Sequence, residues 1–167
     1  DGVWAILMWM NILAVRNMSV KDIMADHWKS YGRNYYARHD FEAIESDKAQ
    51  AVMDHVKAQL DTLPGKTFSS ERVKFADSFT YHDPIDGSVS ENQGLRIGFK
   101  SGSRFVLRLS GTGTVGATLR LYVERYARDE GELDQDNNKA LEDIVRIGMQ
   151  LSDIVNITGR ETATLVT

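Results

Sequence analysis

Residues 105–123 read FVLRLSGTGTVGATLRLYV and carry the clearest secondary-structure signal in the chain. Phe105, Leu107 and Leu109 alternate with other residues before a glycine-rich segment, and the alternation resumes at Leu119 after it. Alternation with a period of two predicts β-strands that each have one apolar face. Because the connection between them is short, the two strands are expected to be antiparallel neighbours.

Two earlier segments show the same alternation. One runs from Val73 to Tyr81 and the other from Leu95 to Phe99, with a predicted turn at residues 83–87 between them. Together the four segments predict a four-stranded antiparallel sheet. Each strand has a single apolar face, which is expected when helices cover only one side of a sheet. The predicted fold class is therefore α+β.

Apolar residues at helical spacing predict four helices, at about 3–15, 20–31, 46–63 and 135–156. Ser19 and Ser46 are predicted N-caps, and Gly32 is predicted to end the second helix. Residues 33–45 mix aromatic and charged side chains without a clear period. We place a domain boundary near Gly32.

The first predicted helix is unusually apolar, since only Asn11 is polar between Val3 and Val15. The run is shorter than the ~20 residues that a membrane-spanning helix needs. Asp1-Gly2 is also not the basic leader of a signal peptide. We interpret the run as a helix that is buried on all sides within a larger protein, part of which is expected to precede it.

The composition is that of an ordinary globular protein. The chain has 167 residues, of which 42% are hydrophobic and 26% are charged, and its formal net charge is -4. This length fits one domain, or one domain with part of another. The absence of cysteine excludes disulfides, thiolate metal sites and cysteine nucleophiles. The mild acidity argues against a dedicated nucleic-acid-binding protein, which normally has a basic face.

Other residue types that often carry chemistry give weaker signals. The four histidines are scattered without the spacing of metal ligands. Asp83 and Asp86 lie in a segment that lacks the alternating acids and the distal glutamate of a calcium loop, so it is interpreted as a turn. No serine, histidine and aspartate can be grouped into a catalytic set. The residues alone therefore identify no catalyst and no metal site.

The glycine-rich segment contains Gly111-x-Gly113-x-x-Gly116, which formally matches the dinucleotide-binding fingerprint. That fingerprint has to follow a strand and begin a helix in a parallel βαβ unit. Here a strand is predicted to follow, and its neighbours are predicted to be antiparallel. A dinucleotide site is therefore rejected.

Two interpretations of this segment stay open at this point. In the first, glycine N–H groups converge on an anion, while Ser110, Thr112 and Thr114 supply hydroxyl donors. Arg108 and Arg120 flank the segment on the two strands, and the planar guanidinium group suits phosphate. In the second, the segment is a glycine-rich hairpin with arginines on a solvated face.

Several segments together resemble one known family. Residues 108–122, RLSGTGTVGATLRLY, are similar to the phosphate-binding loop in the C-terminal domain of eukaryotic-type phosphoglucomutases, which belong to the α-D-phosphohexomutases. Further similar segments occur in the same order as in that family and cover nearly the whole chain. They are 31–36 (YGRNYY), 83–88 (DPIDGS), 92–96 (NQGLR) and the last ten residues.

The resemblance implies a domain organisation. Residues 1–31 would be the C-terminal helices of the third α/β domain of such an enzyme, and residues 32–167 its C-terminal phosphate-binding domain. In the family that last domain is a four-stranded antiparallel sheet with helices on one face, described as TATA-binding-protein-like. The strand pattern given above agrees with this expectation.

The resemblance also implies a function. Members of the family interconvert glucose 1-phosphate and glucose 6-phosphate by means of a phosphoserine, with glucose 1,6-bisphosphate as intermediate and Mg²⁺ as cofactor. Their C-terminal domain closes the active site and binds the phosphate that is not reacting. The positions that match the phosphate-contacting residues are Arg108, Ser110, Gly111, Thr112 and Arg120.

The same resemblance sets limits on the chain. The catalytic serine, the metal-binding loop and the catalytic lysine of the family lie upstream of the matched part. No catalytic residue and no metal ligand is therefore expected here, and the chain alone is expected to be inactive. Its expected partners are glucose phosphates and the N-terminal domains of the same cytoplasmic enzyme, with no nucleic acid and no membrane.

Two alternatives to the enzyme are considered. Some phosphoglucomutase-like proteins have little activity and act as partners in membrane trafficking or adhesion. A freestanding anion-binding module is the other alternative. An intact phosphoserine loop and an aspartate-rich metal loop upstream would favour the enzyme.

Overall fold

A computed structural model describes residues 1–113, 116–128 and 130–167. These residues form a mixed α+β fold, as predicted. The helices are α1 (Gly2–Arg16), α2 (Val20–Tyr31), α3 (Ser46–Lys57), α4 (Asn137–Ser152) and α5 (Ile154–Thr158). The strands are β1 (Arg33–Ile44), β2 (Thr67–Phe68), β3 (Glu71–Ser78), β4 (Tyr81–His82), β5 (Val89–Ser90), β6 (Leu95–Phe99), β7 (Arg104–Gly113), β8 (Gly116–Ala127) and β9 (Leu165–Val166).

The chain divides into two compact units. The first consists of Asp1–Asn34 and Ala127–Gln135, and the second of Tyr35–Tyr126 and Asp136–Thr167. The first unit contains α1 and α2, and the second contains α3 to α5 and almost all of the strands.

In the first unit, local hydrogen bonds set the limits of both helices. The Asp1 carboxylate accepts hydrogen bonds from backbone N–H groups of the first turn of α1. Ser19 Oγ accepts one from the Asp22 N–H at 3.2 Å, which confirms the predicted cap of α2. An ion pair of 3.0 Å between Arg16 and Asp26 links the two helices.

Helix α1 exposes the apolar run that the sequence analysis singled out, and none of its residues is buried. Its exposed apolar side chains are Val3, Trp4, Ile6, Leu7, Met8, Met10 and Val15. Within the described residues, no single helix has both the length and the apolar character to cross a membrane. Helices α1 and α2 meet that criterion only when taken together, and they are bent by 86° at the break between them.

In the second unit, the main sheet has seven strands in the order β2-β3-β6-β7-β8-β1-β9. The four predicted strands are β3, β6, β7 and β8, which are consecutive in this order and pair antiparallel. The predicted number of four strands is wrong because β2, β1 and β9 extend the sheet at its two sides. Strands β4 and β5 form a separate antiparallel pair around the predicted turn at 83–87.

Strand β1 comes from the segment that showed no clear period. Tyr35, Ala37 and Phe41 are buried at alternate positions, as a strand requires. Asp40, which belongs to the opposite face, is buried as well. Because both faces of β1 carry polar residues and one of its charged residues is buried, its sequence does not alternate between apolar and polar residues.

Helices α3 and α4 lie close to β7, and α3 also lies close to β6. In α3 the apolar residues Ala49, Val52 and Val56 are fully buried. Its N-cap is Glu45 rather than the predicted Ser46, because Ser46 already has helical backbone angles. Leu121 of β8 lies so close to α4 that a Cβ atom on Gly148 would be 3.1 Å from the leucine side chain.

The predicted single helix over 135–156 is wrong. Asp153 adopts the left-handed conformation with φ of 52°, and this residue separates α4 from the short helix α5. As a result Val155, just after the break, is 39% exposed. Ile154, the residue before it, is fully buried instead.

Candidate functional site

Strand alternation in β7 places two sets of side chains on opposite sides of the sheet. Phe105 and Leu107 are buried, whereas Arg104 and Arg108 line a cleft of about 900 Å³. Strands β1, β6 and β8 contribute to the same cleft. The arginines that line it are Arg38, Arg96, Arg104 and Arg108.

Two of these arginines are neutralised by carboxylates on neighbouring strands. Arg96 donates two hydrogen bonds to Asp77, of 2.7 and 2.8 Å, and these raise the pKa of the guanidinium group above its usual value. Arg104 Nε donates to Glu124 at 2.6 Å. Arg108 has no hydrogen bond or ion pair with any residue that the structure describes. It is exposed and is therefore free to bind an anion.

A buried carboxylate lies between two further arginines. The side chain of Asp40 is only 3% exposed, and its Oδ1 accepts a hydrogen bond of 2.8 Å from Arg38 Nε. Its Oδ2 lies 3.8 Å from Arg120 Nε, which is too long for a hydrogen bond but within the range of an ion pair. Arg120 Nε is buried and has no hydrogen-bond partner among the described residues.

The structure brings the two predicted phosphate-binding arginines together. Arg108 and Arg120 are direct partners in the β7–β8 register, so their side chains leave the same face of the sheet. The guanidinium group of Arg120 is only partly solvated, since its side chain is 36% exposed and Nε is buried.

Ser110, Gly111 and Thr112 lie in β7 and not in a loop. The strand pairing continues past them, with Ser110 opposite Thr118 and Thr112 opposite Ala117. The register shifts between Ser110 and Thr112, which leaves Gly111 without a partner. Gly111 has a φ of 69°, as expected for a glycine at a β-bulge. The predicted hydroxyl donor Thr114 and the side chain of Thr112 lie outside the described part of the structure.

Gly116 has a different structural role. It has a φ of 98°, and a Cβ atom there would lie 2.9 Å from the carbonyl oxygen of Ile44 at the end of β1. Only glycine combines this backbone conformation with so close an approach. The predicted strand after this segment and its antiparallel pairing are confirmed, since Gly111 lies in β7 and Gly116 begins β8.

The carboxylates that the structure describes outside this site are not clustered. Among the residues that the structure describes, no three histidines, aspartates or glutamates are grouped so as to hold a metal ion. The predicted turn at 83–87 is confirmed, since Asp83 accepts hydrogen bonds from the backbone N–H groups of Ile85 and Asp86. These bonds lower the pKa of Asp83.

Arg38 and Asp40 are site residues that the sequence did not predict. Both lie in the segment for which no strand was predicted, so no face could be assigned to them. A usable signal was present, because residues two positions apart on a strand share a face. An Arg-x-Asp pair in an extended segment is therefore a candidate ion pair.

The fold and this geometry define an α+β domain with an arginine-rich open face on its sheet. The family description "Phosphoglucomutase-1, C-terminal domain" matches residues 33–164. The chain therefore belongs to the family of phosphoglucomutase C-terminal domains.

Individual relatives agree with this assignment. The chain is 50% identical to a phosphoglucomutase of Rhizobium radiobacter, over all of this chain and 31% of that protein. It is 41% identical to "Probable phosphoglucomutase, cytoplasmic 1" of Arabidopsis thaliana, over all of this chain and 32% of that protein. The chain thus spans about a third of the length of these relatives.

A solved structure has the same fold. It is the open form of the exocytosis-sensitive phosphoprotein pp63/parafusin, a phosphoglucomutase from Paramecium. The TM-score is 0.90 at 39% sequence identity, over all of this chain and 29% of that one.

Proposed function

We propose that this chain is the phosphate-binding C-terminal part of a phosphoglucomutase that interconverts glucose 1-phosphate and glucose 6-phosphate. The observation that carries the proposal is the pair Arg108 and Arg120, which leave one face of the sheet from directly opposite positions. Two like charges in direct opposition are unfavourable unless an anion is bound nearby. A sugar phosphate is the anion that the family membership favours.

The phosphate is proposed to bind near the C-terminal end of β7, where Arg108, Ser110 and Gly111 lie. Arg108 supplies an unpaired guanidinium group, and Arg120 a second one beside it. The planar fork of arginine binds phosphate oxygens in pairs. Ser110 adds a hydroxyl group, and Gly111 adds a backbone segment that the register leaves unpaired. Thr112 completes the proposed set.

In the reaction this part would hold the phosphate that is not being transferred. Phosphoryl transfer depends mainly on positioning and on stabilisation of charge, so the fixed phosphate orients the sugar and closes the site. The phosphoserine that exchanges its group with glucose 1,6-bisphosphate is proposed to lie in N-terminal domains. The chain alone is proposed to be inactive.

Magnesium is proposed to be bound by those other domains as well. Among the described residues, Asp40 and Asp77 are paired with arginines, and no three histidines, aspartates or glutamates are grouped so as to hold a metal ion. In this proposal the residues of this chain contribute substrate binding, and the other domains supply the metal site.

The proposal is tested by titrating the isotopically labelled chain with glucose 1-phosphate and following its NMR signals. We expect shifts at Arg108, Ser110, Gly111 and Arg120, and we expect Arg108→Gln to weaken binding by about tenfold or more. Arg104→Gln is the matched control, because Arg104 lies on the same strand and face but is paired with Glu124. Equal losses in both variants, or shifts confined to other residues, would contradict the proposal.

Two further expectations belong to this proposal. A cytoplasmic enzyme is supported by the name of the Arabidopsis relative. A TATA-binding-protein-like relationship of the sheet is supported by the four predicted strands, which are consecutive neighbours within the larger sheet. No nucleic acid and no membrane is proposed as a partner.

A second candidate is an interaction protein in membrane trafficking. The observation that favours it is the Paramecium relative, whose name describes an exocytosis-sensitive phosphoprotein. The two candidates differ in the residues that precede this part in the full-length protein. Activity of that protein on glucose 1-phosphate, lost when its phosphoserine is replaced, would support the first candidate, whereas a folded protein without this activity would favour the second.

A further inference from the structure

We propose that Asp40 is a positioning residue that holds the Arg120 guanidinium group ready for phosphate. This inference rests on the proposed function and adds a residue to its site. Among the side chains that the structure describes, Asp40 is the only charged one that is buried. An ionised carboxylate is costly to bury unless it is paired, so its partners indicate why it is there.

The two oxygens of Asp40 serve different arginines. Oδ1 accepts the 2.8 Å hydrogen bond from Arg38 Nε, which satisfies one side of the carboxylate. Oδ2 faces Arg120 Nε at 3.8 Å, and that nitrogen has no hydrogen-bond partner among the described residues. A buried N–H donor without a partner is unfavourable by itself. A shorter distance between Arg120 Nε and Asp40 Oδ2 would therefore be favourable.

Bound phosphate is the event that shortens the distance between Arg120 Nε and Asp40 Oδ2. Hydrogen bonds in binding sites are often long without ligand and shorten when the ligand is bound. Phosphate at the exposed part of Arg120 would draw the guanidinium group into one fixed orientation, and Nε would then donate to Asp40 Oδ2. The carboxylate thus reduces the orientational freedom that Arg120 has to lose on binding.

Asp40 is itself held in place by backbone pairing. Its carbonyl oxygen accepts a hydrogen bond of 2.8 Å from the Thr164 N–H, and it is opposite Leu165 in the register of β1 and β9. Arg38 exchanges two backbone hydrogen bonds with Thr167, of 2.8 and 3.0 Å. A carboxylate on such a paired strand is a rigid support for a neighbouring side chain.

The direction in which Asp40→Asn changes phosphate affinity distinguishes a positioning role from charge repulsion alone. Removing a buried negative charge beside an anion site should strengthen binding if only charge repulsion matters. The positioning role predicts the opposite, because a released Arg120 loses its orientation. Asp40→Asn is therefore expected to weaken the binding of inorganic phosphate to the 167-residue chain by about tenfold.

The experiment measures phosphate affinity by calorimetry in four variants. Asp77→Asn is the matched control, since Asp77 pairs with Arg96 on the same face and is not part of the proposed site. Asp40→Asn is expected to weaken binding in the wild-type background and to have no such effect in the Arg120→Ala background. Unchanged or tighter binding in Asp40→Asn, while Arg120→Ala weakens it, overturns the role of Asp40. If the wild-type chain and Asp77→Asn both fail to bind phosphate, the proposed function fails with it.

A second measurement needs no variant and applies if Asp40→Asn does not fold. The Nε–H signal of Arg120 is followed by NMR while phosphate is added to the wild-type chain. The hydrogen bond to Asp40 should slow exchange of this proton with water, beyond the change seen for Arg96. Saturation with phosphate without slower exchange at Arg120 overturns the proposal.

Discussion

Arg108 and Arg120 lie directly opposite each other in neighbouring strands, and one carboxylate, that of Asp40, lies close to only one of them. Like charges in direct opposition destabilise a pair of strands. The unliganded protein therefore carries a local conflict that an anion can relieve. Stability without ligand and affinity for phosphate should change in opposite directions when Arg108 is replaced.

This leads to a prediction for thermal unfolding. Phosphate at ten times its dissociation constant should stabilise the wild-type chain by about 1.4 kcal/mol, which raises Tm by about 3–6 °C. Arg108→Gln should have an equal or higher Tm without phosphate and should lose most of the increase. Scanning fluorimetry at constant ionic strength measures both effects. A full phosphate response in Arg108→Gln would show that the anion acts elsewhere.

Arg120→Ala should impair the longer enzyme that the proposed function requires. A hydrogen bond to a charged group contributes about 1.5–3 kcal/mol, so kcat/KM should fall by about 10- to 150-fold, with a rise in KM. Arg120→Lys should recover only part of this, because an ammonium group cannot form the bidentate contact. Steady-state kinetics beside a thermal melt measure the effect. Wild-type kcat/KM in the alanine variant, or a loss explained by unfolding, would contradict the prediction.

Removing α1 and α2 should change the association of the chain. Helix α1 exposes seven large apolar side chains, among them Val15 at 84%, and exposed apolar surface of this kind promotes association. A chain that begins at Gly32 should therefore sediment more nearly as a monomer than the 167-residue chain. Identical sedimentation of the two, with both folded by circular dichroism, would show that α1 does not drive association.

Stability should depend on the protonation of His39. Burial lowers the pKa of this imidazole below 6.5, and the nearby Asp40 carboxylate opposes the shift without cancelling it. The unfolded chain then binds the proton more readily than the folded one, so the free energy of unfolding should fall as the pH drops below 6.5. Well above pH 6.5 the imidazole is neutral in both states and the effect is absent.

Urea unfolding between about pH 5 and pH 8 tests this sign. His39→Gln should make the loss of stability at acidic pH less steep. His55→Gln, at an exposed position of α3, controls for the loss of an imidazole group. An unaltered slope in His39→Gln would show that other groups produce the pH dependence.

Gly116→Ala should disturb the hairpin. An added Cβ atom would lie 2.9 Å from the Ile44 carbonyl oxygen, at a φ of 98° that other residues rarely adopt. We expect a loss of about 1–3 kcal/mol of stability together with weaker phosphate binding. Gly131→Ala is a suitable control, since nothing lies within 4 Å of its added Cβ atom. Equal stability of the two variants, measured by urea unfolding, would show that the contact with β1 does not matter.

The sequence predicted the parts of the fold whose periodicity is simple. Strands β3, β6, β7 and β8 and the buried face of α3 follow from alternation and helical spacing. Strand β1 could not be predicted in this way. Asp40 is buried on the face opposite Phe41 because it pairs with arginines, and a pattern of apolar residues does not reveal such burial. The two-residue strands β2 and β9 are too short to produce a pattern.

The candidate site was predictable only on the hairpin. Arg108 and Arg120 flank a glycine-rich segment on two strands that the sequence predicts to be antiparallel. Their direct opposition also depends on the bulge at Gly111. The contribution of Asp40 depends on β8 and β1 being neighbours in the sheet, which is a long-range property. The break at Asp153 depends on a left-handed backbone that aspartate adopts only occasionally.

The pairing of β9 with β1 also has a consequence for the order in which the protein is made. Glu42 N–H donates to Thr164 Oγ1 across 122 positions of sequence, and Asp40 receives its backbone partner from the same late segment. A nascent chain emerging from the ribosome therefore carries β1 without this partner until β9 has been synthesised. Contacts of such long range form slowly and late. Arg38, Asp40 and Arg120 should therefore reach their final arrangement only after translation of β9. Incomplete chains would not bind phosphate prematurely.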